Sequence, residues 1–216
     1  EVMTAVDRPM PPVPAGGMRI RIHAIGVNPA DTKWRSGMMQ AFSPRELPLV
    51  VGYDVAGVVD EVAPGLAGFA RGDRVFAGLS PLDMGGYAEY AATEPLFVAR
   101  MPDALSFEAA ASLPTPGLTA FQLIEEHVRP AAGSRVLVTG AVGAVGRLAL
   151  FAAKRLGAQV VAAVRESQRD EAMAIGADEV AVLGEAWTGA PFDHVADTVG
   201  GDVAADLCTC LTPGGT

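Results

Sequence analysis

Cysteine is nearly absent from the 216 residues: there are two, Cys208 and Cys210, two apart in a stretch that reads as one helix. Such a pair builds no disulfide framework, which points to a reducing compartment and predicts a cytoplasmic protein. Histidine is almost as scarce, and His23, His127 and His194 are scattered without metal-ligand spacing, so each is expected as a surface or satisfied core residue. Aromatic residues make up only 6%. No apolar run has the length to cross a bilayer, and no secretory signal opens the chain. Basic residues are outnumbered 16 to 25, a formal charge of −9 that argues against general affinity for nucleic acid or an anionic membrane. What is present is an α/β composition, half hydrophobic and with 25 glycines, enough for one large or two modest cores.

The run Val136-Leu-Val-Thr-Gly140-Ala-Val-Gly143-Ala-Val-Gly146 carries the most information. It reads as a buried β-branched strand over 135–139, a glycine turn, and a helix over about 144–156. Val145, Leu148, Ala149, Ala152 and Leu156 would form the buried face of that helix. A second strand, Gln159 to Val164, follows at the distance a βαβ unit needs. Glycines between strand and helix let the backbone approach a pyrophosphate, whose charge then sits on the unpaired N–H groups of the helix N-terminus. Gly140, Gly143 and Gly146 are spaced with one more residue than the commoner Gly-x-Gly-x-x-Gly turn. The N–H groups of Ala144 and Val145 are the expected phosphate donors. Gly143 is the expected point of closest approach.

Residues 1–114 differ in texture from 115–216, and two domains are expected. In the first, Met18 to Val27 alternates Ile20, Ile22 and Ala24 with Arg19, Arg21 and His23, the period of a half-buried strand. Short strands are also expected at 55–62, 74–76, 87–92 and 96–99, separated by glycine turns. The second domain alternates strands at 135–139, 159–164, 179–182 and 194–197 with helices near 144–156, 167–175 and 202–211, which implies a parallel sheet. A helical segment near Leu118 to Glu126 joins the two. Both ends read as cut. Glu1 enters directly into strand-like, proline-rich sequence, and Leu211 to Thr216 resembles a turn leading into another buried strand.

Several motifs together resemble the medium-chain dehydrogenase/reductase superfamily, in its zinc-free quinone oxidoreductase (zeta-crystallin-like) branch. They are Gly26-Val-Asn-Pro-Ala-Asp31-Thr-Lys, Gly52-Tyr-Asp-Val-Ala-Gly57, Gly72-Asp-Arg-Val75, Gly85-Gly-Tyr-Ala-Glu-Tyr90, Pro116-Gly-Leu-Thr119, the glycine turn, and Asp197-Thr-Val-Gly-Gly201. The resemblance covers nearly the whole chain. It implies a GroES-like β domain followed by a Rossmann doubly wound parallel sheet, with nicotinamide in the interdomain cleft. It also implies a C-terminal segment beyond residue 216 and a homodimer for the complete protein.

Zinc-dependent members have cysteine, histidine and glutamate where this chain has Asn28, Tyr53 and Asp54, and their four-cysteine structural lobe is missing. Catalytic zinc needs three good protein ligands, so no metal is expected. At the tip of the second Rossmann strand, Arg165 takes the place of the acidic residue that holds the ribose diol of NAD. A guanidinium there suits the 2′-phosphate, with Arg169 able to assist, and NADP(H) is the expected cofactor. Glu166, one residue on, keeps the NAD alternative open.

The resemblance places Thr119 against the nicotinamide, and Val199, Gly200 and Gly201 at the carboxyl edge of the sheet. Asn28 and Asp31, read as lying in the loop after the first strand, form the floor of the site. A helix cap for Thr119 and plain turn roles for Asn28 and the glycines are the bland alternatives. Lys33 stands where many quinone oxidoreductases have tyrosine, so no proton donor can be carried over. Asp31, Lys33 and Tyr53 are alternative relays. Trp34 is a substrate platform or packing, and Met38, Met39, Phe42 and Pro44 would line the substrate mouth. The expected activity is NADPH-dependent hydride transfer to a quinone or an α,β-unsaturated carbonyl. A non-catalytic dinucleotide-binding protein and an enoyl reductase for carrier-bound acyl chains are the alternatives.

Overall fold

Met18–Gly26 forms the first strand, β1, in a computed structural model that describes residues 3–80 and 84–216. Its alternation has the expected consequence: Met18 and Ile20 are buried while Arg19 reaches across to Asp60 and Glu61 at 2.6 and 2.7 Å. Four further strands follow: β2 (Asp54–Val62), β3 (Arg74–Gly78), β4 (Tyr90–Thr93) and β5 (Val98–Arg100). They form an antiparallel sheet in the order β4-β1-β2-β3-β5. Met18, Ile20, Val55, Val59, Val75 and Ala91 pack on one another as its core. The register of β1 against β2 shifts between Ile22 and Ala24, and His23, in that interval, stacks on Phe107 with ring centroids 4.5 Å apart.

The expected loop holding Asn28 and Asp31 is instead a helix entrance. Helix α1 (Pro29–Arg35) has Asn28 as its N-cap and proline in its first turn. Proline there loses no hydrogen bond, because the first N–H groups of a helix have no partner inside it. The strand predicted at 87–92 begins only at Tyr90, since the Gly86 and Tyr87 N–H groups bond back to Gly52 and Val51. The one predicted at 96–99 is a single tight turn, Pro95–Phe97, followed by β5. Proline, with fixed φ and no N–H, starts a turn more readily than it joins a ladder. A short helix, α2 (Phe107–Ala111), capped by the Ser106 side chain, was not anticipated. Glu1 lies outside the described residues, and from Met3 to Pro14 the chain forms no strand.

The chain separates into two compact units, Glu1–Thr115 and Pro116–Thr216. Helix α3 (Pro114–Phe121) crosses this boundary and continues as a π-helical segment, Gln122–Val128. The second unit has a parallel sheet of β6 (Arg135–Thr139), β7 (Gln159–Val164), β8 (Glu179–Val182) and β9 (His194–Ala196), in the order β8-β7-β6-β9. Its helices are α4 (Ala144–Arg155), α5 (Arg169–Ala174) and α6 (Asp202–Cys208).

Alternate strand residues feed opposite faces, as the period of a strand requires. Val136, Val138, Val160 and Ala162 pack with Ile124, Leu150 and Ala172, whereas Leu137, Val161 and Ala163 pack with Phe192 and Leu207. The sheet is therefore covered on both sides, as a doubly wound fold requires. The buried stripe of α4 is Gly146, Ala149, Leu150, Ala152 and Ala153. Leu156, expected inward, is its C-cap and 37% exposed. Helix α6 stops at Cys208, so the two cysteines do not share it: the Cys210 carbonyl accepts from the Phe192 N–H at 2.9 Å, which draws the chain out of the helix.

Candidate active site

Residues singled out from the sequence fall in both units. In the first unit the capping of α1 assembles a buried polar network. The Asn28 N–H donates to Asp31 Oδ2 at 2.7 Å, and Asn28 Nδ2 donates to Asp54 Oδ2 at 2.9 Å. Asp54 Oδ1 accepts from the Thr115 hydroxyl at 2.6 Å and from its N–H at 3.0 Å. The Tyr87 hydroxyl donates to Asp31 Oδ2 at 3.2 Å. Asn28, Asp31 and Asp54 are 8%, 3% and 1% exposed, so these bonds form away from water, where an unmet partner costs most.

Burial, above all, raises the Asp54 carboxyl from its ordinary value, against the bonds from Thr115 and Asn28. Burial and then the Asp31 charge push the Tyr87 phenol up to about 12. Asp31 Oδ1 is buried and receives no hydrogen bond. Trp34, 8% exposed, donates its indole N–H to the Tyr53 oxygen at 2.5 Å. The Lys33 side chain lies exposed on α1 and makes no hydrogen bond among the described residues, while its carbonyl accepts from the Ser36 hydroxyl at 3.0 Å. Asn28, Asp31 and Asp54 are thus brought together, Tyr53 is tied to α1 through Trp34, and Lys33 stays outside. Thr115 and Tyr87 were not recognised from the sequence as members. Tyr87 stands 56 residues from Asp31, and no local pattern encodes that contact.

In the second unit the glycine turn has the form a phosphate site needs. Gly140 adopts φ +59, a left-handed conformation that suits glycine. A Cβ on Gly143 would lie 3.1 Å from the Gly140 carbonyl oxygen, and one on Gly146 only 2.1 Å from it. The third glycine is therefore where the helix backbone packs closest on the turn. The Ala144, Val145 and Gly146 N–H groups at the start of α4 have no acceptor among the described residues. Such free donors fit an anionic pyrophosphate.

Val199 and Gly200, expected at the cofactor, turn their N–H groups inward to Asp197 Oδ1, each at 3.1 Å. Asp197 also accepts from the Thr139 hydroxyl at 2.5 Å, and Thr139 Oγ1 receives the Thr198 N–H at 2.8 Å. Burial disfavours the Asp197 charge, but the bonds from Thr139, Gly200 and Val199 outweigh it and hold the carboxyl below the ordinary range. Thr139 and Asp197 hence fix the shape of this edge, a role their sequence neighbourhood did not announce. What Val199 leaves for a ligand is its side chain, 59% exposed.

Thr119 sits inside α3 rather than at its start, because Pro114 opens that helix, so a capping role is excluded. Arg169 is held by Glu166 through both carboxylate oxygens, at 2.9 and 3.1 Å, which occupies the assisting arginine and its acidic neighbour together. That bond to Arg169 is also what lowers the Glu166 carboxyl. Arg165 is exposed, meets only Gln168, at 3.2 Å, and makes no ion pair among the described residues. A cavity of about 440 Å³, lined in part by Leu183, Trp187, Leu207 and Cys210, contains none of the candidate residues. Among the described residues no group of three or more His, Cys, Asp or Glu side chains converges as a metal cage, and no helix is long and apolar enough to cross a membrane.

Residues 14–103 match the alcohol dehydrogenase GroES-like domain family. Over 184 residues the chain is 39% identical to a chloroplast envelope quinone oxidoreductase homolog of Arabidopsis thaliana, covering 81% of this chain and 55% of that protein. The chain thus spans about half the length of the curated relatives it matches. The quinone oxidoreductase of Coxiella burnetii superposes with a TM-score of 0.86 at 33% identity, over 97% of this chain and 68% of the other. A mycobacterial protein solved in complex with NADPH superposes with a TM-score of 0.83 at 33% identity, over 97% of this chain and 67% of the other.

Proposed function

This chain belongs to the quinone oxidoreductase branch of the medium-chain dehydrogenase/reductase superfamily, and on that premise we propose that it forms part of an NADPH-dependent, zinc-independent reductase of quinones or α,β-unsaturated carbonyls. The observation that carries the reading is the turn at Gly140–Gly146, with three unpaired N–H groups at the head of α4. They hold the pyrophosphate, and the N-terminal charge of a twelve-residue helix adds to their attraction. Bound there, the nicotinamide supplies the hydride.

Arg165 favours the 2′-phosphate form, since it stands at the end of β7 with no carboxylate neutralising it while Glu166 is already paired. Changing Arg165 to alanine is expected to weaken NADPH binding by about 1.5–3 kcal/mol, roughly 10- to 150-fold, and to leave NADH binding nearly unchanged. Fluorescence titration of both cofactors measures this. Equal affinity of the unaltered protein for the two would overturn the assignment.

The polar network supports zinc independence. Asp54 has both oxygens engaged by Asn28 and Thr115, and an amide and a phenol at positions 28 and 53 are poor zinc ligands. Without a Lewis acid, an isolated carbonyl is a weak hydride acceptor. A quinone or enone spreads the incoming charge onto its conjugated oxygen, where protein hydrogen bonds can meet it. The complete protein is expected to oxidise NADPH, followed at 340 nm, with 1,4-benzoquinone and with conjugated enones but not to oxidise ethanol. Inactivity on every acceptor, with NADPH still bound, would move the weight to a non-catalytic dinucleotide-binding protein.

A further inference from the structure

We propose that Tyr53 is the acid that delivers a proton to the substrate oxygen, with Trp34 as the positioning residue that leaves its O–H free to do so. The inference rests on the reductase reading above and names the group that reading leaves unassigned. An indole N–H can only donate, so in the 2.5 Å Trp34–Tyr53 bond the phenol oxygen must be the acceptor. The Tyr53 O–H is then directed elsewhere, and among the described residues it donates to nothing. Tyr53 is partly exposed whereas Trp34 is buried, which puts the free O–H at the accessible end of the pair. The tyrosine backbone is also fixed, its carbonyl accepting from the Leu79 N–H at 2.7 Å.

Neighbouring groups are excluded by their own bonds. The Tyr87 hydroxyl is engaged by Asp31, the Asn28 amide by Asp54, and Lys33 projects from the exposed side of α1. Asp54 is 1% exposed behind Asn28 and Thr115.

Hydride from NADPH forms a C–H bond at the β-carbon of the enone, the C=C electron pair shifts, and the carbonyl oxygen becomes an enolate. The Tyr53 O–H bond breaks as its proton forms an O–H bond on that oxygen, and the resulting enol tautomerises to the saturated ketone. The phenolate left on Tyr53 is stabilised by the Trp34 N–H and regains its proton from water. The substrate gains two electrons and the dinucleotide loses them. A quinone needs this acid less, because a hydroquinone anion is stable enough to leave and be protonated in solution.

The test uses the complete protein with Tyr53→Phe and Trp34→Phe, each checked for an unchanged melting temperature. Binding of ionised 4-nitrophenol, a stand-in for the enolate, is read from the shift of its visible absorption without cofactor. The expected result is affinity lower by about 10-fold in Tyr53→Phe and by a smaller factor in Trp34→Phe, with 4-nitroanisole binding all three proteins alike. For an enone, kcat should fall about 100-fold in Tyr53→Phe and roughly 10-fold in Trp34→Phe while KM stays within about 3-fold. Enone kcat in Tyr53→Phe within about 3-fold of the unaltered protein, or undiminished nitrophenolate binding, would overturn the assignment. If the unaltered protein reduces neither enone nor quinone, it is the reductase reading that fails, and the nitrophenolate titration still decides whether Tyr53 presents its O–H.

Discussion

Gly146→Val is expected to destabilise the dinucleotide-binding unit by at least about 3 kcal/mol and to abolish NADPH binding. The new Cβ would lie 2.1 Å from the Gly140 oxygen, 2.7 Å from its carbonyl carbon and 2.8 Å from the Ala141 Cα. All three are backbone atoms, so no rotamer change relieves the clash, and either the turn opens or α4 lifts. If α4 lifts, Ala149, Leu150 and Ala153 leave Val136, Val138 and Val160. If the turn opens, the unpaired N–H groups of Ala144 and Val145 lose their common direction. Valine repays at most about 0.5 kcal/mol of helix propensity relative to glycine, too little to offset either outcome. Gly143→Ala is the control, since its Cβ would be 3.1 Å from a single oxygen, a contact that a small shift accommodates. Thermal melts with and without NADPH separate the two: Gly146→Val lowers the ligand-free melting temperature by many degrees, whereas Gly143→Ala chiefly reduces the rise produced by NADPH. A ligand-free Gly146→Val protein that melts like the unaltered one would show that the glycine is not needed for packing.

That glycine was visible in the sequence, whereas the consequences of its neighbours were only partly so. Strands β6, β7 and β8 were legible to the residue because buried β-branched runs bounded by glycine or a charged residue leave little choice of period. Helix α1 was missed although Asn28, Pro29 and Asp31 are start signals, because Gly26 and Pro29 together also describe a turn. Position and guanidinium chemistry favoured Arg165 over Glu166 in the sequence. Only the bidentate bond from Arg169 shows which of them is already satisfied. The contacts that shape the candidate site span long separations: Asn28 to Asp54, Asp54 to Thr115, and Thr139 to Asp197, the last 58 residues apart. Periodicity reports what a segment does with its own neighbours and is silent on such pairs. Asp197 illustrates this, since a glycine-rich stretch after a strand reads as a turn whether or not a carboxylate gathers its N–H groups.

Asp54→Ala should cost the first unit about 3–5 kcal/mol, more than a typical surface or cavity-free change. Its carboxylate is the acceptor for Asn28 Nδ2, the Thr115 hydroxyl and the Thr115 N–H, and alanine removes all three bonds at a position 1% exposed. Each buried donor left without that acceptor carries a penalty of about 1–3 kcal/mol, and water has little room to replace it. Asp54→Asn keeps one acceptor oxygen for Thr115 and can meet Asn28 if that amide turns over, so its loss should be smaller. The two variants also differ in pH response, with a sign fixed by the direction of the shift. Burial raises the Asp54 carboxyl, so the folded chain holds this proton more tightly than the unfolded chain. Its contribution to stability is therefore full below the ordinary carboxylate range and is lost as pH rises through the raised folded value. Asparagine has no proton to lose, and Asp54→Asn should flatten that limb of the stability curve. Urea melts between acid and neutral pH measure both effects. Asp54→Ala within about 1 kcal/mol of the unaltered protein would show that the network does not hold the base of α1 in place.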